Sequence, residues 1–208
     1  MRYPEFLKPG GTIGFVAPSF GCTFEPYISR FENARKTFSE MGYGLDIGPN
    51  CDKAEGIGIS NSPDKCGAEL NEYYKSDKND VLMSVGGGEL MDEVVPYIDF
   101  KAVAAAKPKW YMGYSDNTNF IFPLVTGCGV KAIYGSNISG FGKPWEAAEE
   151  DTLQLMEGRK SVFEGYKKFQ LPEDGTEAKK ADPLSPYILT QKKNSDFSRK
   201  IKKFLLVV

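Results

Sequence analysis

Histidine is absent from this 208-residue sequence. Imidazole is the usual general base beside a serine or cysteine nucleophile, and it is a common zinc ligand. These residues alone therefore cannot build a Ser-His pair, a Cys-His pair or a zinc site that contains histidine. The absence excludes imidazole catalysis by this chain on its own.

Cysteine is scarce and widely spaced. The four cysteines, Cys22, Cys51, Cys66 and Cys128, form no C-x-x-C pair of the kind that zinc ribbons and redox motifs use. We therefore expect reduced thiols in a cytoplasmic protein, with no metal and no cofactor. The first residues contain no apolar leader-like run, and no stretch approaches the roughly 18 apolar residues of a membrane span.

A strong charge of either sign is also missing, since the net charge is −2. A value so near neutral argues against binding nucleic acid through bulk electrostatics. The segment from Lys192 onward is an exception. It contains six basic residues and a single acidic one, Asp196, and it ends in an apolar run at residues 204–208. This apolar end is too short for a membrane anchor, and we interpret the segment as a solvated basic tail. We expect neither nucleic acid nor membrane as a partner.

Short apolar runs alternate with helical patterns over the first 135 residues. The predicted strands are residues 12–17, 43–47, 81–85, 109–113 and 131–134, and the predicted helices are residues 24–41, 68–74, 89–106 (broken near Pro96), 116–125 and 146–156. This alternation predicts an α/β fold with a doubly wound, mostly parallel, Rossmann-like sheet. Ligands bind such sheets at the carboxyl ends of the strands, which places residues 18–19, 86–88 and 114–116 along one edge.

Ser115 stands where the fourth predicted strand gives way to a helix, as in a nucleophile elbow. The match is partial, because the second glycine of G-x-S-x-G is replaced by Asn117. The alternative is that Ser115 caps the helix, with Asp116 favourable at its positive end. Taken alone, the tripeptide favours the capping interpretation.

Three consecutive glycines, residues 86–88, follow the third predicted strand. Their backbone N–H groups could cradle a phosphate or supply an oxyanion hole. The alternative is a tight turn that needs a positive φ. The loop matches neither the P-loop nor the dinucleotide motif. The acids behind it, Glu89, Asp92 and Glu93, are interpreted as first-turn residues favoured by the helix dipole.

Three segments carry a more specific signal when they are taken together. They read LKPGGTIGFVAPS at residues 7–19, VLMSVGGGELM at residues 81–91 and KPKWYMGYSDNTN at residues 107–119. In this order and approximate spacing they resemble the LD-carboxypeptidase family of serine peptidases, which includes the microcin C immunity peptidases. The resemblance covers roughly residues 1–195.

The resemblance implies a cytoplasmic hydrolase with a Ser-Glu-His triad and no metal. Its substrate would be a small peptide, cleaved at an L,D bond in murein peptides or at an acyl-amide bond in a peptide antibiotic. Carried over to this sequence, Ser115 would be the nucleophile and the backbone N–H of Asp116 one oxyanion donor. The turn of Gly87 and Gly88 would supply a second donor.

In that family the Glu and His of the triad come from a C-terminal domain. Relatives continue into a glycine-rich segment where this sequence reads RKIKKFLLVV from residue 199. We interpret the chain as a truncated member, with the nucleophile domain at residues 1–160 and a linker plus the start of the second domain at residues 161–208. Surface uncovered in this way could support a homodimer.

The absence of the triad's Glu and His bears directly on the expected activity. Without them, turnover should fall by on the order of 10⁶. We therefore expect the chain to be inactive alone. A non-catalytic peptide-binding pseudoenzyme and one half of a split enzyme remain as alternatives.

Overall fold

Five strands build the central sheet in the computed structural model, which describes residues 1–163, 165–171, 173 and 175–192. They are β1 (Thr12–Val16), β2 (Gly44–Ile47), β3 (Val81–Ser84), β4 (Trp110–Gly113) and β5 (Ile133–Tyr134). All neighbours pair in parallel, in the order β2-β1-β3-β4-β5. The predicted doubly wound parallel α/β sheet is confirmed. The order reverses between β1 and β3, so a ligand crevice is expected where these two strands end.

Helices cover the sheet and differ from the sequence prediction at their ends. Those that cover the sheet are α1 (Tyr27–Glu40), α2 (Pro63–Lys75), α3 (Phe100–Ala105), α4 (Thr118–Thr126) and α5 (Ala147–Met156), and α6 (Thr176–Ala181) lies in the later segment. Helix α2 begins five residues before the predicted start, because Pro63 has the fixed φ that suits a first helical position. The predicted helix 89–106 is instead a 3-10 helix, Met91–Tyr97, followed by α3. Pro96 lacks the N–H that a continuous α-helix would use.

Both faces of the sheet are buried, and the strand residues alternate between two apolar clusters. Ile13 and Phe15 of β1 pack in the first cluster, whereas Val16 packs in the second. The first cluster holds buried residues of α1 and α5, and the second holds those of α2, α3 and α4. Strands that are apolar on both faces are typical of a parallel sheet covered by helices, which leaves the strand ends as the accessible edges.

Beyond residue 160, two short strands, β6 (Lys168–Phe169) and β7 (Gln191–Lys192), pair antiparallel. Residues 186–190, which lead into β7, form no strand. Residues 183–187 pack against α1 and the loop before α5: Arg30 Nε donates to the Pro183 carbonyl at 2.9 Å, and Lys143 Nζ lies 3.6 Å from the ring centre of Tyr187. The division at residue 160 stays a prediction, and most of the basic tail lies outside the described residues.

Within the described part of the chain, no helix is both long enough and apolar enough to cross a membrane. All four cysteines are free thiols, as the sequence predicted.

Candidate active site

Ser115 lies directly behind β4, where the chain turns sharply. Its φ is +62°, and among the described residues it is the only non-glycine residue with a positive φ. A side chain in this region of backbone space costs about 1–3 kcal/mol, and such strain clusters at functional sites. The preceding Tyr114 is extended, and Ser115 itself is exposed at the edge of the sheet. This is the backbone geometry of a nucleophile elbow.

The interpretation of Ser115 as a helix cap is wrong. The 3-10 helix Ser115–Asn117 begins at this residue, its N-cap position is Tyr114, and no side chain caps it. The backbone of Ser115 is held on both sides: its N–H donates to Tyr134 Oη at 3.1 Å, and its carbonyl accepts from Thr118 Oγ1 at 2.6 Å. Its hydroxyl makes no hydrogen bond to any described residue. The turn is therefore fixed while the hydroxyl stays free to react.

The glycines of the loop after β3 allow the loop that follows β1 to approach closely. They are not required for unusual backbone angles. None of residues 86–88 has a positive φ, so that interpretation is wrong. An ideal Cβ on Gly88 would lie 2.1 Å from Ser19 Oγ, and one on Gly86 would lie 2.8 Å from the Phe20 carbonyl oxygen. Any side chain at either position would collide with the loop that follows β1.

Gly87 faces Ser115 directly. An ideal Cβ on Gly87 would lie 3.4 Å from Ser115 Cβ and 3.6 Å from Ser115 Oγ. The backbone N–H groups of Gly87 and Gly88 donate to no acceptor among the described residues. The structure thus brings together the serine and the glycine loop that the sequence placed along one edge. Unpaired N–H donors beside a free hydroxyl are what stabilisation of an oxyanion requires.

The carboxylate of Asp116 joins three segments around the elbow. Its Oδ2 accepts from Ser19 Oγ at 2.6 Å and from the Met91 N–H at 3.0 Å, and its Oδ1 accepts from Asn119 Nδ2 at 3.0 Å. Because these donors occupy the carboxylate, its part in the site is to fix the turn. The role of the Asp116 backbone N–H as an oxyanion donor stays a prediction.

Asn117 explains why the elbow departs from G-x-S-x-G. It is fully buried, and its Nδ2 donates to the Gly86 carbonyl at 2.9 Å and to the Tyr114 carbonyl at 3.2 Å. Its Oδ1 accepts from the Tyr111 hydroxyl. The side chain therefore ties the elbow to the glycine loop. Gly113 makes room for it, since a Cβ there would lie 2.8 Å from Asn117 Cγ.

A cavity of about 260 Å³ opens beside Ser115. An aromatic pair, Phe24 and Tyr27, forms part of its wall. The two rings pack edge to face, with their centres 5.1 Å apart. Cys22 also lines the cavity, but burial raises the pKa of its thiol to about 12. A buried thiol that stays protonated at neutral pH is unreactive, so Cys22 is not a nucleophile candidate.

Glu69 is a buried carboxylate beneath this edge of the sheet. It accepts from the Ala17 N–H at 2.8 Å and from the Asn50 N–H at 2.9 Å, which joins the loops after β1 and β2. Burial raises the pKa of Glu69 to about 7, although both backbone donors act to lower it. Its environment makes it a support of the crevice rather than a group that reaches the cavity.

Sequence reasoning missed Asn137, Tyr134 and Glu69. Asn137 lies three residues behind β5 and lines the cavity, so the rule that ligands bind at the carboxyl ends of strands could have found it. Tyr134 ends that same strand. Glu69 gives no comparable signal, because a glutamate in a helix is ordinarily exposed.

Comparisons with known proteins agree with this geometry. A family model described as the LD-carboxypeptidase N-terminal domain matches residues 13–135. The chain belongs to the LD-carboxypeptidase family. A Vibrio cholerae protein named as a carboxypeptidase is 30% identical over 145 residues, which are 69% of this chain and 42% of that relative. The microcin C7 self-immunity protein MccF of Escherichia coli is 28% identical over 138 residues, 66% of this chain and 39% of the relative.

Solved structures show the same fold. MccF in its wild-type apo state superposes with a TM-score of 0.75 at 23% identity, covering 93% of this chain and 57% of that one. An MccF-like protein from Bacillus anthracis gives a TM-score of 0.69 at 22% identity, covering 75% of this chain and 47% of that one. The chain spans about 40% of the length of the two curated relatives that it matches.

Proposed function

We propose that this chain is the nucleophile domain of a serine peptidase of the LD-carboxypeptidase type. The observation that carries the proposal is the strained backbone of Ser115, which holds a free hydroxyl against the unpaired N–H groups of the glycine loop. Residues 1–160 form this domain, and residues 161–208 form the linker and the start of a second one.

In the proposed reaction, Ser115 Oγ attacks the carbonyl carbon of the scissile bond and its proton passes to a base. The carbonyl oxygen becomes an oxyanion, which accepts hydrogen bonds from the backbone N–H groups of Asp116 and of the Gly87 and Gly88 turn. When the tetrahedral intermediate collapses, the base gives its proton to the leaving amine as the bond to that amine breaks, and the acyl group remains on Ser115. Water then releases the acyl group.

The proposed substrate is a small peptide, cleaved at an L,D bond in murein peptides or at an acyl-amide bond in a peptide antibiotic. The size of the cavity, its aromatic wall and its polar groups support a substrate of this class. The relatives, which are named as a carboxypeptidase and a microcin C7 self-immunity protein, support the same range of substrates. A cytoplasmic location is part of the proposal.

No imidazole in these 208 residues can accept this proton, because they contain no histidine. We propose that the Glu and His of the triad belong to a further domain or to a separate chain. Residual catalysis by an oxyanion hole alone is about 10³–10⁴ over water. Hydrolysis of a murein tetrapeptide by the isolated chain is therefore expected to be far below ordinary enzyme rates.

An activated ester tests Ser115 without that base, since p-nitrophenolate leaves without being protonated. Incubation with an N-acyl amino acid p-nitrophenyl ester should form an ester at Ser115 as its proton passes to solvent. Intact-mass and peptide-mass measurements should locate the acyl group on Ser115 and find none there in Ser115→Ala. Equal acylation of both proteins at other sites would overturn the proposal.

A second candidate is a pseudoenzyme that binds a peptide without cleaving it. The absence of histidine favours it, because the oxyanion donors and the cavity do not depend on a base. Calorimetry with a murein tetrapeptide should then show saturable binding, and the ligand should be recovered intact. Absence of binding would exclude this candidate.

A further inference from the structure

Asn137 occupies an unusual position beside the glycine loop. The residue is only 3% exposed, yet it lines the cavity that opens at Ser115. Its Oδ1 accepts from the Tyr114 N–H at 3.3 Å and from Asn117 Nδ2 at 3.4 Å. Both of its recorded hydrogen bonds thus end on the oxygen, and the nitrogen donates to no described residue.

The hydrogen-bond network fixes which end of the Asn137 amide is nitrogen. The Tyr114 backbone N–H can only donate, so an oxygen must face it. Asn117 gives the same answer, because its own Nδ2 faces the carbonyls of Gly86 and Tyr114 and can only donate to Asn137. If the Asn137 amide were flipped, its NH₂ group would face the Tyr114 N–H and Asn117 Nδ2, which are also donors. Its Nδ2 therefore stays on the cavity side.

The Asn137 nitrogen borders the space that is empty because Gly87 has no side chain. An ideal Cβ on Gly87 would lie 3.6 Å from Asn137 Nδ2 and 3.6 Å from Ser115 Oγ. The nucleophile and the unused amide donor therefore border the same empty point. Because no described residue accepts from this nitrogen, a ligand oxygen at that point would gain a hydrogen bond without displacing a protein partner.

We propose that Asn137 Nδ2 is a side-chain donor of the oxyanion hole, acting beside the backbone N–H groups. The inference rests on the proposed function, since it needs a tetrahedral centre on Ser115. A neutral amide donates one N–H to the developing oxyanion and transfers no proton. In this role Asn137 is a catalytic residue whose orientation is set by Tyr114 and Asn117.

A boronic acid analogue of an N-acyl amino acid tests this role without requiring turnover. Ser115 Oγ adds to the trigonal boron, an O–B bond forms and the serine proton passes to solvent, leaving an anionic tetrahedral boronate. Boron NMR distinguishes the trigonal from the tetrahedral form, and titration gives the affinity. The variant is Asn137→Asp, because a carboxylate still accepts from Tyr114 and Asn117 but offers an oxygen where the amide offered a donor.

The matched control is Asn71→Asp, the same change on a half-buried residue of α2 whose partners, Tyr97 and Asp99, lie away from Ser115. Removal of one oxyanion donor should weaken the adduct by about 10²–10³-fold in Asn137→Asp and leave the control unchanged. Thermal unfolding of each variant reports whether it is folded, and Asn137→Ser serves as a second variant that removes the donor without adding charge.

The outcomes separate the inference from the function beneath it. A tetrahedral signal in the wild type that is lost in Ser115→Ala, with equal affinity in folded Asn137→Asp and Asn137→Ser, would overturn the role of Asn137 and leave the proposed function standing. No tetrahedral signal in the wild type would overturn both. Weakening in both Asn137 variants but not in Asn71→Asp is the expected result.

Discussion

At the amino end of the sheet, Lys109 has a partner for every proton of its ammonium group, whereas at the carboxyl end Asn137 leaves its nitrogen unused. Lys109 Nζ donates to the Tyr73 carbonyl at 3.1 Å, to the Ser76 carbonyl at 2.7 Å and to Asn79 Oδ1. Asn79 in turn donates to Asp46 at 2.8 Å. Polar groups whose hydrogen bonds are all made within the protein stabilise the fold. Polar groups without a protein partner beside a free nucleophile are available to a ligand.

Cavities occur at both ends, so a cavity alone does not identify the site. The one at the amino end, about 100 Å³, is lined by Lys109 and by the segments around it. Ser76, which lines it, accepts from the Lys78 N–H at 3.1 Å, and Lys109 donates to the carbonyls of Tyr73 and Ser76 at the end of α2. The larger cavity at the carboxyl end combines Ser115, the glycine loop and Asn137. The comparison of the two ends assigns stability to one and chemistry to the other.

The largest effect on stability is expected from Lys109→Met. The change leaves three acceptors without their cation and should lower the free energy of unfolding by about 3 kcal/mol, measured by urea denaturation. Acylation of Ser115 in the folded variant should not change. Lys107→Met is the control, because that lysine makes only an exposed ion pair with Glu5. Equal stability of the two variants would show that the polar cluster at the amino end of the sheet does not stabilise the fold.

A smaller effect on stability, but a loss of acylation, is expected from Gly88→Ala. The new Cβ would displace Ser19 from Asp116, at a cost of about 1–3 kcal/mol for overpacking. Acylation of Ser115 by the activated ester should then slow at least tenfold. Gly165→Ala is the matched change, since nothing lies within 4 Å of a Cβ there. Full labelling of Gly88→Ala would show that the Ser19 to Asp116 bond is not needed.

The effect that is smallest over any single pH unit is a pH dependence carried by Glu69. Its folded-state pKa of about 7 lies above its ordinary value of 4.5, so between these values the folded protein holds a proton that the unfolded chain releases. The unfolding free energy should therefore fall as pH rises from about 4.5 to 7, by at most about 1.4 kcal/mol per pH unit from this group. Glu69→Gln should flatten that slope, and Glu72→Gln on the exposed side of α2 should not. Parallel slopes in all three proteins would contradict the assignment.

The sequence predicted the sheet because each strand is an apolar run bounded by glycine, proline or charge, a local property of the chain. It predicted Ser115 and the glycine loop as neighbours because the carboxyl ends of parallel strands share an edge. The helix cap and the positive-φ turn were wrong because the deciding contacts are distant. Ser115 is fixed by Tyr134, and Gly88 is required by Ser19. The strand-end rule could have placed Asn137 at this edge but could not assign its role, since only the fold shows which of its atoms is unpaired.

The bond between Ser19 and Asp116 joins residues 97 positions apart along the chain. Ser19 follows β1 and Asp116 follows β4, with β3 lying between them in the sheet. Contacts of such long range form late in folding, after the chain between them has been ordered. Partly folded molecules therefore lack an aligned elbow, and the reactive serine emerges only with the finished domain. Labelling of Ser115 during refolding should in consequence lag behind the gain of helix.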